Sequence, residues 1–357
     1  MIGSHNQRPL AKALFALIFL AVLSVPAALA SSGMSYHSGF NQPGNLLVTD
    51  QFNNRVVEIN PFNNNIVWSF GSNNPSLCNP GPGAIIGPND AERLSDGLTI
   101  IAGTGIPPGA SSSMPSGCVD NRVIVVDVEG NIVWQYGKAG VTGSGPNQLN
   151  VPVFAIQLPN HDFLITDQGN NRIIEVNFAK QVVWSYGPTS GPGALNSPNS
   201  AELLPNGHIL IADEGNNRVI EITRGGSIVW TFHDGISGAA FASRLPNGNT
   251  LITDAGNARI IEVTPDKRIV FTYFTNTQKG SNPSPLPTNA VELRNGDISI
   301  ADQFNDRVLI INQHKNVVFQ YGQLNVSGNG PGQLFAPYTS FVVGDYTGQT
   351  PPPMFFA

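Results

Sequence analysis

Residues 198–232 read PNSAELLPNGHILIADEGNNRVIEITRGGSIVWTF. Four apolar runs follow one another here, Ala201 to Leu204, Ile209 to Ala212, Val219 to Ile222 and Ile228 to Phe232. Gly, Asn, Asp or Pro residues separate them, which is the pattern of short strands joined by tight turns. The stretch therefore predicts a four-stranded antiparallel meander. No sustained helical period competes with it beyond the N-terminal leader.

The same text recurs along the chain, and the repeat decides the architecture. The motif D-x-x-N-x-R followed by an apolar strand appears as Asp50-Asn53-Arg55, Asp167-Asn170-Arg172, Asp213-Asn216-Arg218, Asp254-Asn257-Arg259 and Asp302-Asn305-Arg307. An altered copy ends in Asp120-Asn121-Arg122. Each copy leads to a strand reading IVWSF, IVWQY, VVWSY, IVWTF, IVFTY or VVFQY. Units of this length, each a four-stranded sheet, match propeller blades. The expectation is an all-β, six-bladed propeller. Pro337 to Val343 looks like an innermost strand with no blade after it and is expected to complete the first blade, with Tyr36 to Phe40 as the competing segment.

The strand-ending Thr166-Asp167 and Ala212-Asp213, each followed by Gly-Asn-Asn-Arg, resemble the NHL-repeat family of propellers. The resemblance covers nearly all of the chain after the leader and implies fold more than activity, because such propellers include interaction platforms and enzymes.

Arg8 and Lys12 precede an apolar run from Ala13 to Val25, and Ala28-Leu29-Ala30 offers the small residues of a cleavage site. Residues 1–30 are expected to be a secretory signal peptide, placing the protein in an extracellular or periplasmic setting; a membrane anchor is the other reading. The propeller is expected over 31–348, with an unstructured Pro-rich tail at 349–357. The whole chain carries a formal charge of −6, and loss of the leader's two cations leaves −8. With no basic stripe, nucleic acid and anionic membranes are excluded as expected partners. In an oxidising compartment the only two cysteines, Cys78 and Cys118, are expected to pair; a two-thiol metal site is the weaker alternative.

Repeated residues are architectural first. Trp68, Trp134, Trp184 and Trp230, replaced by Phe271 and Phe319 in the last two units, should fill the blade interfaces. The Asp, Asn and Arg of the motif should staple loops. Glu58, Glu175, Glu221 and Glu262, three residues after the Arg, should each find a buried partner.

Function is then sought where the repeat breaks. Gly103 replaces the motif Asp in the second unit, and a long segment follows before Asp120. A Cys78–Cys118 bridge would tie this loop to the preceding connection as a rigid crest. A second candidate is the mouth of the central channel. There Asn89, Asp90, Asn199 and Asn289, with His37 and His233 nearby, form a ligand set in which calcium (Ca2+) is the metal that suits the oxygen donors. The leading expectation is a monomeric binding scaffold for a protein, glycan or small-molecule ligand. The alternative is a metal-assisted lyase or hydrolase working at the channel mouth, an analogy with other six-bladed enzymes.

Overall fold

The computed structural model describes residues 39–94 and 96–345. The leader, His37, most of the competing segment 36–40 and the tail from 349 lie outside the described residues. The strands form six four-stranded antiparallel sheets. Blade 1 holds β1 (Leu46–Asp50), β2 (Arg55–Asn60) and β3 (Asn65–Gly71). Blade 2 holds β4 (Pro88–Arg93), β5 (Thr99–Ile106), β6 (Cys118–Val126) and β7 (Ile132–Gly137). Blade 3 comprises β8 (Pro152–Gln157), β9 (Phe163–Asp167), β10 (Arg172–Val176) and β11 (Val182–Tyr186), and blade 4 comprises β12 (Pro198–Leu203), β13 (Ile209–Asp213), β14 (Arg218–Ile222) and β15 (Ile228–Phe232). Blade 5 contains β16 (Ala239–Arg244), β17 (Thr250–Asp254), β18 (Arg259–Val263) and β19 (Ile269–Phe274); blade 6 contains β20 (Pro287–Glu292), β21 (Ile298–Asp302), β22 (Arg307–Ile311) and β23 (Val317–Gly322).

The last strand, β24 (Pro337–Val342), pairs antiparallel with β1 and closes the ring, so both ends of the propeller share one sheet. The innermost strands touch in cyclic order, from β4 through β8, β12, β16 and β20 to β24 and back to β4. The sequence pattern explains the layering. Second strands such as β13 are buried at every position because both faces meet a neighbouring blade, and they read as continuous apolar runs. Outer strands such as β15 have only one packed face and keep an exposed Val.

Six apolar clusters fill the six seams between blades, one of them extending into the ring axis. The outer-strand aromatics work as expected. Each Trp lies in a seam and its indole N–H donates to a turn carbonyl of the next blade: Trp68 to Val128 (2.9 Å), Trp134 to Phe178 (3.0 Å), Trp184 to Arg224 (3.0 Å) and Trp230 to Pro265 (3.1 Å). Three of the four carboxylates have Arg partners on the next blade: Glu58 with Arg93, Glu175 with Arg224 and Glu221 with Arg244. Glu262 accepts from Asn247 and Asn249 of its own blade instead.

Candidate functional site

The Asp-Asn-Arg loops build the face on which the candidate residues lie. After the second strand the chain makes a short 3₁₀ turn and leaves it through a residue in the left-handed region, such as Asn171 (φ 51°). One oxygen of the motif Asp then accepts from both the motif Asn and the motif Arg, as at Asp213 from Asn216 Nδ2 (2.8 Å) and Arg218 Nε (2.7 Å). Its other oxygen accepts the backbone N–H of Asn196, on the segment entering the blade's own innermost strand.

A second side chain completes this grip, and the sequence reading missed it. The left-handed residue just before the motif Arg is Asn in four blades, and its Oδ1 crosses to the next blade. Asn54 accepts from Gly87, Asn121 from Val151, Asn171 from Ser197 and Asn217 from Gly238. Two consecutive N–H groups are thus held, one by the blade's own Asp and one by its neighbour's Asn. The signal was present as the second Asn of Gly-Asn-Asn-Arg; Asn tolerates the left-handed backbone and carries an acceptor.

Blade 2 keeps the grip by another route. Asp120, from the third strand, accepts from the Ile86 N–H (2.8 Å) and from Arg122 Nε (2.5 Å). Its carboxyl fills the space beside Gly103, where a Cβ would stand 2.8 Å from Asp120 Cγ and 2.5 Å from Ile85 Cδ1. Gly103 is therefore a substitution with a structural reason and not a lost staple.

At the channel mouth a belt of polar side chains runs across the ring. Gln303 Nε2 donates to Gln51 Oε1 (2.9 Å) and Gln51 Nε2 to Asn89 Oδ1 (2.6 Å). On the other side, Asn199 exchanges hydrogen bonds with the Tyr338 hydroxyl (2.8 and 3.1 Å) and donates to Glu214 Oε2 (2.8 Å), which Gln168 also approaches (3.4 Å). The Tyr338 phenol, on the closing strand, also contacts Asn89, so one hydroxyl joins the two halves of the belt. Burial and the Glu214 charge push that phenol above its usual range, and burial pushes Glu214 up.

Below the belt the axis is filled. Phe154 and Phe241 meet edge to face at 5.5 Å, and Phe241 meets Phe341 at 6.5 Å. Asp90 Oδ2 accepts the Ala155 N–H (3.0 Å), and Asn289 Oδ1 the Ser340 N–H (3.3 Å). Burial raises the Asp90 carboxyl to about 8, and Glu92 is raised by burial and by the charges of Asp90 and Glu202.

The sequence-derived set is brought together only in part. Asn89 and Asn199 meet at Tyr338, whereas Asp90 and Asn289 are turned to neighbouring strands. His233 lies on the exposed surface, with Nδ1 3.2 Å from Asp234 Oδ1. Asn89 Oδ1, Asn289 Oδ1 and Asp90 Oδ2 already accept protein N–H groups, and the set has a single carboxylate, so these residues do not fit calcium. Among the described residues no group of three or more His, Cys, Asp or Glu side chains is placed to hold a metal ion.

The crest is the better-formed feature. Cys78 and Cys118 are joined, with Cα atoms 5.5 Å apart. Beyond Gly103 the β5–β6 hairpin continues through Gly105 opposite Val119 and Ile106 opposite Cys118, ending in a bridge between Ser111 and Met114. Ile106, Met114 and Cys118 are buried with Ile86, Phe52 and Ala336, and half-buried Leu77, Phe304 and Phe335 pack on them. Asn73 and Asn329 exchange side-chain to carbonyl hydrogen bonds (3.2 and 3.3 Å), linking the connection that carries Cys78 to the one that leaves blade 6. Next to the crest a groove of about 710 Å³ runs between Pro80–Gly83 and the outer edge of blade 2 at Ile132 and Gln135.

No protein-family model matches the chain, and no curated protein matches it either. Solved structures do. A protein of unknown function from Bacteroides caccae is similar with a TM-score of 0.58 at 18% identity, over 83% of this chain and 99% of that one. Virginiamycin B lyase from Staphylococcus aureus is similar with a TM-score of 0.53 at 16% identity, over 80% of this chain and 83% of the lyase. At such identities the likeness establishes a shared six-bladed propeller fold. Membership of the NHL-repeat family has no support beyond the motif resemblance. Among the described residues no helix is long and apolar enough to cross a membrane.

Proposed function

We propose that this chain is an exported, monomeric binding propeller that captures a protein, glycan or small-molecule ligand on the crest of blade 2 and the groove beside it. The observation that carries this reading is the crest's construction. A tolerated insertion needs only a flexible loop, yet this one has a continued hairpin, a disulfide and buried apolar contacts reaching Phe52 of blade 1 and Phe304 of blade 6. Such preorganisation lowers the ordering cost of binding. The test replaces residues 107–116 by a short Gly-containing turn that leaves both cysteines in place, then compares glycan-array and proximity-labelling profiles of the two proteins. Profiles that lose their hits support the crest. Identical profiles refute it.

The lyase alternative draws on the fold shared with virginiamycin B lyase and on the half-buried Glu214 at the mouth, whose raised carboxyl suits an acid or base. Incubation with virginiamycin B tests it directly. Turnover that disappears in Glu214→Gln would favour the enzyme over the scaffold, and no turnover would dismiss that substrate.

A further inference from the structure

Blades 2 and 6 carry the same pair of side chains on their two outer strands and use it in opposite ways. Gln320 of β23 lies opposite Leu309 of β22, and Gln135 of β7 lies opposite Ile124 of β6, so the two glutamines share a register. Each donates Nε2 to the carbonyl of the glycine two residues on, Gly322 (3.1 Å) or Gly137 (2.9 Å). In blade 6 the pair is closed. Arg307 Nη1 donates to Gln320 Oε1 (3.0 Å) and to Gln278 Oε1 (2.6 Å), the second acceptor belonging to the connection between blades 5 and 6.

In blade 2 the pair is open. Arg122 is only 2% exposed, and its Nε and Nη2 donate to Asp120 and to the Ala84 carbonyl (2.9 Å). Among the described residues no bond is made by its Nη1 or by Gln135 Oε1, and both side chains line the groove of about 710 Å³ beside the crest. The cause is local: the facing segment, Pro80-Gly81-Pro82-Gly83, has no polar side chain to take the part of Gln278. Unused N–H groups on a buried guanidinium favour whatever can accept from them. The counterpart groove on blade 3, of about 450 Å³, has no such opening. There Arg172 Nη1 already donates to the Ser144 carbonyl (3.1 Å), and Ser185 stands at the register of Gln135.

We propose that this groove is a peptide site, in which one residue of an extended segment bridges the open pair, its C=O accepting from Arg122 Nη1 and its N–H donating to Gln135 Oε1. The inference rests on the reading of the crest and its groove as the binding face, and it names the ligand. In an extended chain the N–H and C=O of one residue point the same way, as a donor and an acceptor side by side require. Arg122 is already paired with Asp120, so the site suits a neutral main chain better than a carboxylate or phosphate. Ile132 and the rings of Pro80 and Pro82 give apolar walls for the flanking side chains. None of the lining residues is aromatic, so a sugar ring finds no face to stack on.

The test pans a phage-displayed library of random peptides against the full chain and measures binding of the enriched sequences, made synthetically, by fluorescence anisotropy. Gln135→Ala should weaken them about 3- to 10-fold, the share of one hydrogen bond. Ile132→Glu, which sets a charge in the apolar wall, should weaken them more than about tenfold. Ser185→Ala, the matching position in blade 3, should leave them unchanged. Peptides N-methylated at one position after another add a readout that a purely structural role would not move. A single position should lose binding to wild type, and that loss should disappear in Gln135→Ala. A library without an enriched clone would overturn the peptide site, as would a methyl scan without a sensitive position or peptides that bind Gln135→Ala and Ile132→Glu as tightly as wild type. Each of these leaves the crest itself free to hold another ligand. Peptides that depend on Gln135 yet bind the 107–116 replacement equally well would support the groove and remove the crest from it.

Discussion

The seam between blades 1 and 2 and the seam between blades 5 and 6 are built from the same repeat and held very differently. The first has the full grip from Asn54 and Asp120, the Trp68 indole bond, the Glu58–Arg93 pair and the Cys78–Cys118 bridge. At the second the left-handed residue is Ala258, which has no acceptor to offer the Leu286 N–H, and Pro285 has no N–H for Asp302 Oδ1. This seam lacks the grip and the indole, and its outer aromatic, Phe271, lies under Lys315 Nζ at 5.1 Å. The sequence inverts this order. Blade 2 looks like the damaged copy, with Gly103 and a long insertion, while blades 5 and 6 keep D-x-x-N-x-R intact. The motif therefore reports that each loop is stapled to itself, not that one blade is fastened to the next. The fastening depends on the residue the motif leaves variable and on the amides that precede the following strand.

Removing the strongest fastening should have the largest effect. Cys78→Ser with Cys118→Ser opens a closure of 40 residues, and the chain-entropy relation expects a loss of about 4 kcal/mol. Denaturant unfolding of the double variant and wild type would measure it. A loss below about 1 kcal/mol would mean that the crest's apolar contacts already restrict the unfolded chain or hold the hairpin without the bridge.

The next comparison exchanges the grip between seams. Asn217→Ala removes the acceptor for the Gly238 N–H and should cost about 1 to 2 kcal/mol, since a left-handed non-Gly residue also loses its local polar contacts. Ala258→Asn should do the reverse, adding about 0.5 to 1.5 kcal/mol by supplying an acceptor at a backbone conformation that Asn accepts. Thermal unfolding of both variants decides the matter. If Ala258→Asn is neutral while Asn217→Ala is costly, the Leu286 N–H is satisfied by water and the fifth seam is less deprived than its protein contacts indicate.

The ring and its closure were legible because they depend on repeated apolar periodicity, and β24 announced itself by sharing the Pro and alternation of the other innermost strands. The disulfide was legible because only two cysteines are available. The site was less so. Asn89 and Asn199 could be placed at the mouth, and Tyr338 follows Pro337 as they follow Pro88 and Pro198, but a tyrosine at that position carries no sign that its hydroxyl reaches the Asn side chains of two other blades. Phe154, Phe241 and Phe341 read as ordinary strand residues, and only the ring geometry brings them to one axis. The Asp120 substitution was hidden for a related reason: two residues on adjacent strands can exchange a task when their side chains reach the same volume, and a linear motif records only one of them.

The smallest effect concerns the outer edge of the fifth seam. In four seams the indole N–H reaches a turn carbonyl of the next blade at 2.9 to 3.1 Å, and Gln313 occupies the corresponding turn position in blade 6. Phe271→Trp would place a donor there while keeping an aromatic face beneath Lys315, where a Trp ring attracts a cation at least as well as Phe. A net gain of about 0.5 to 1 kcal/mol is expected, the range for one hydrogen bond at a partly solvated site. Trp230→Phe should lose a similar amount, and equal and opposite shifts in Tm would show that the indole bond contributes the same in both places. A gain in Phe271→Trp without a loss in Trp230→Phe would assign the effect to ring size, making apolar area and not the N–H the difference between these outer edges.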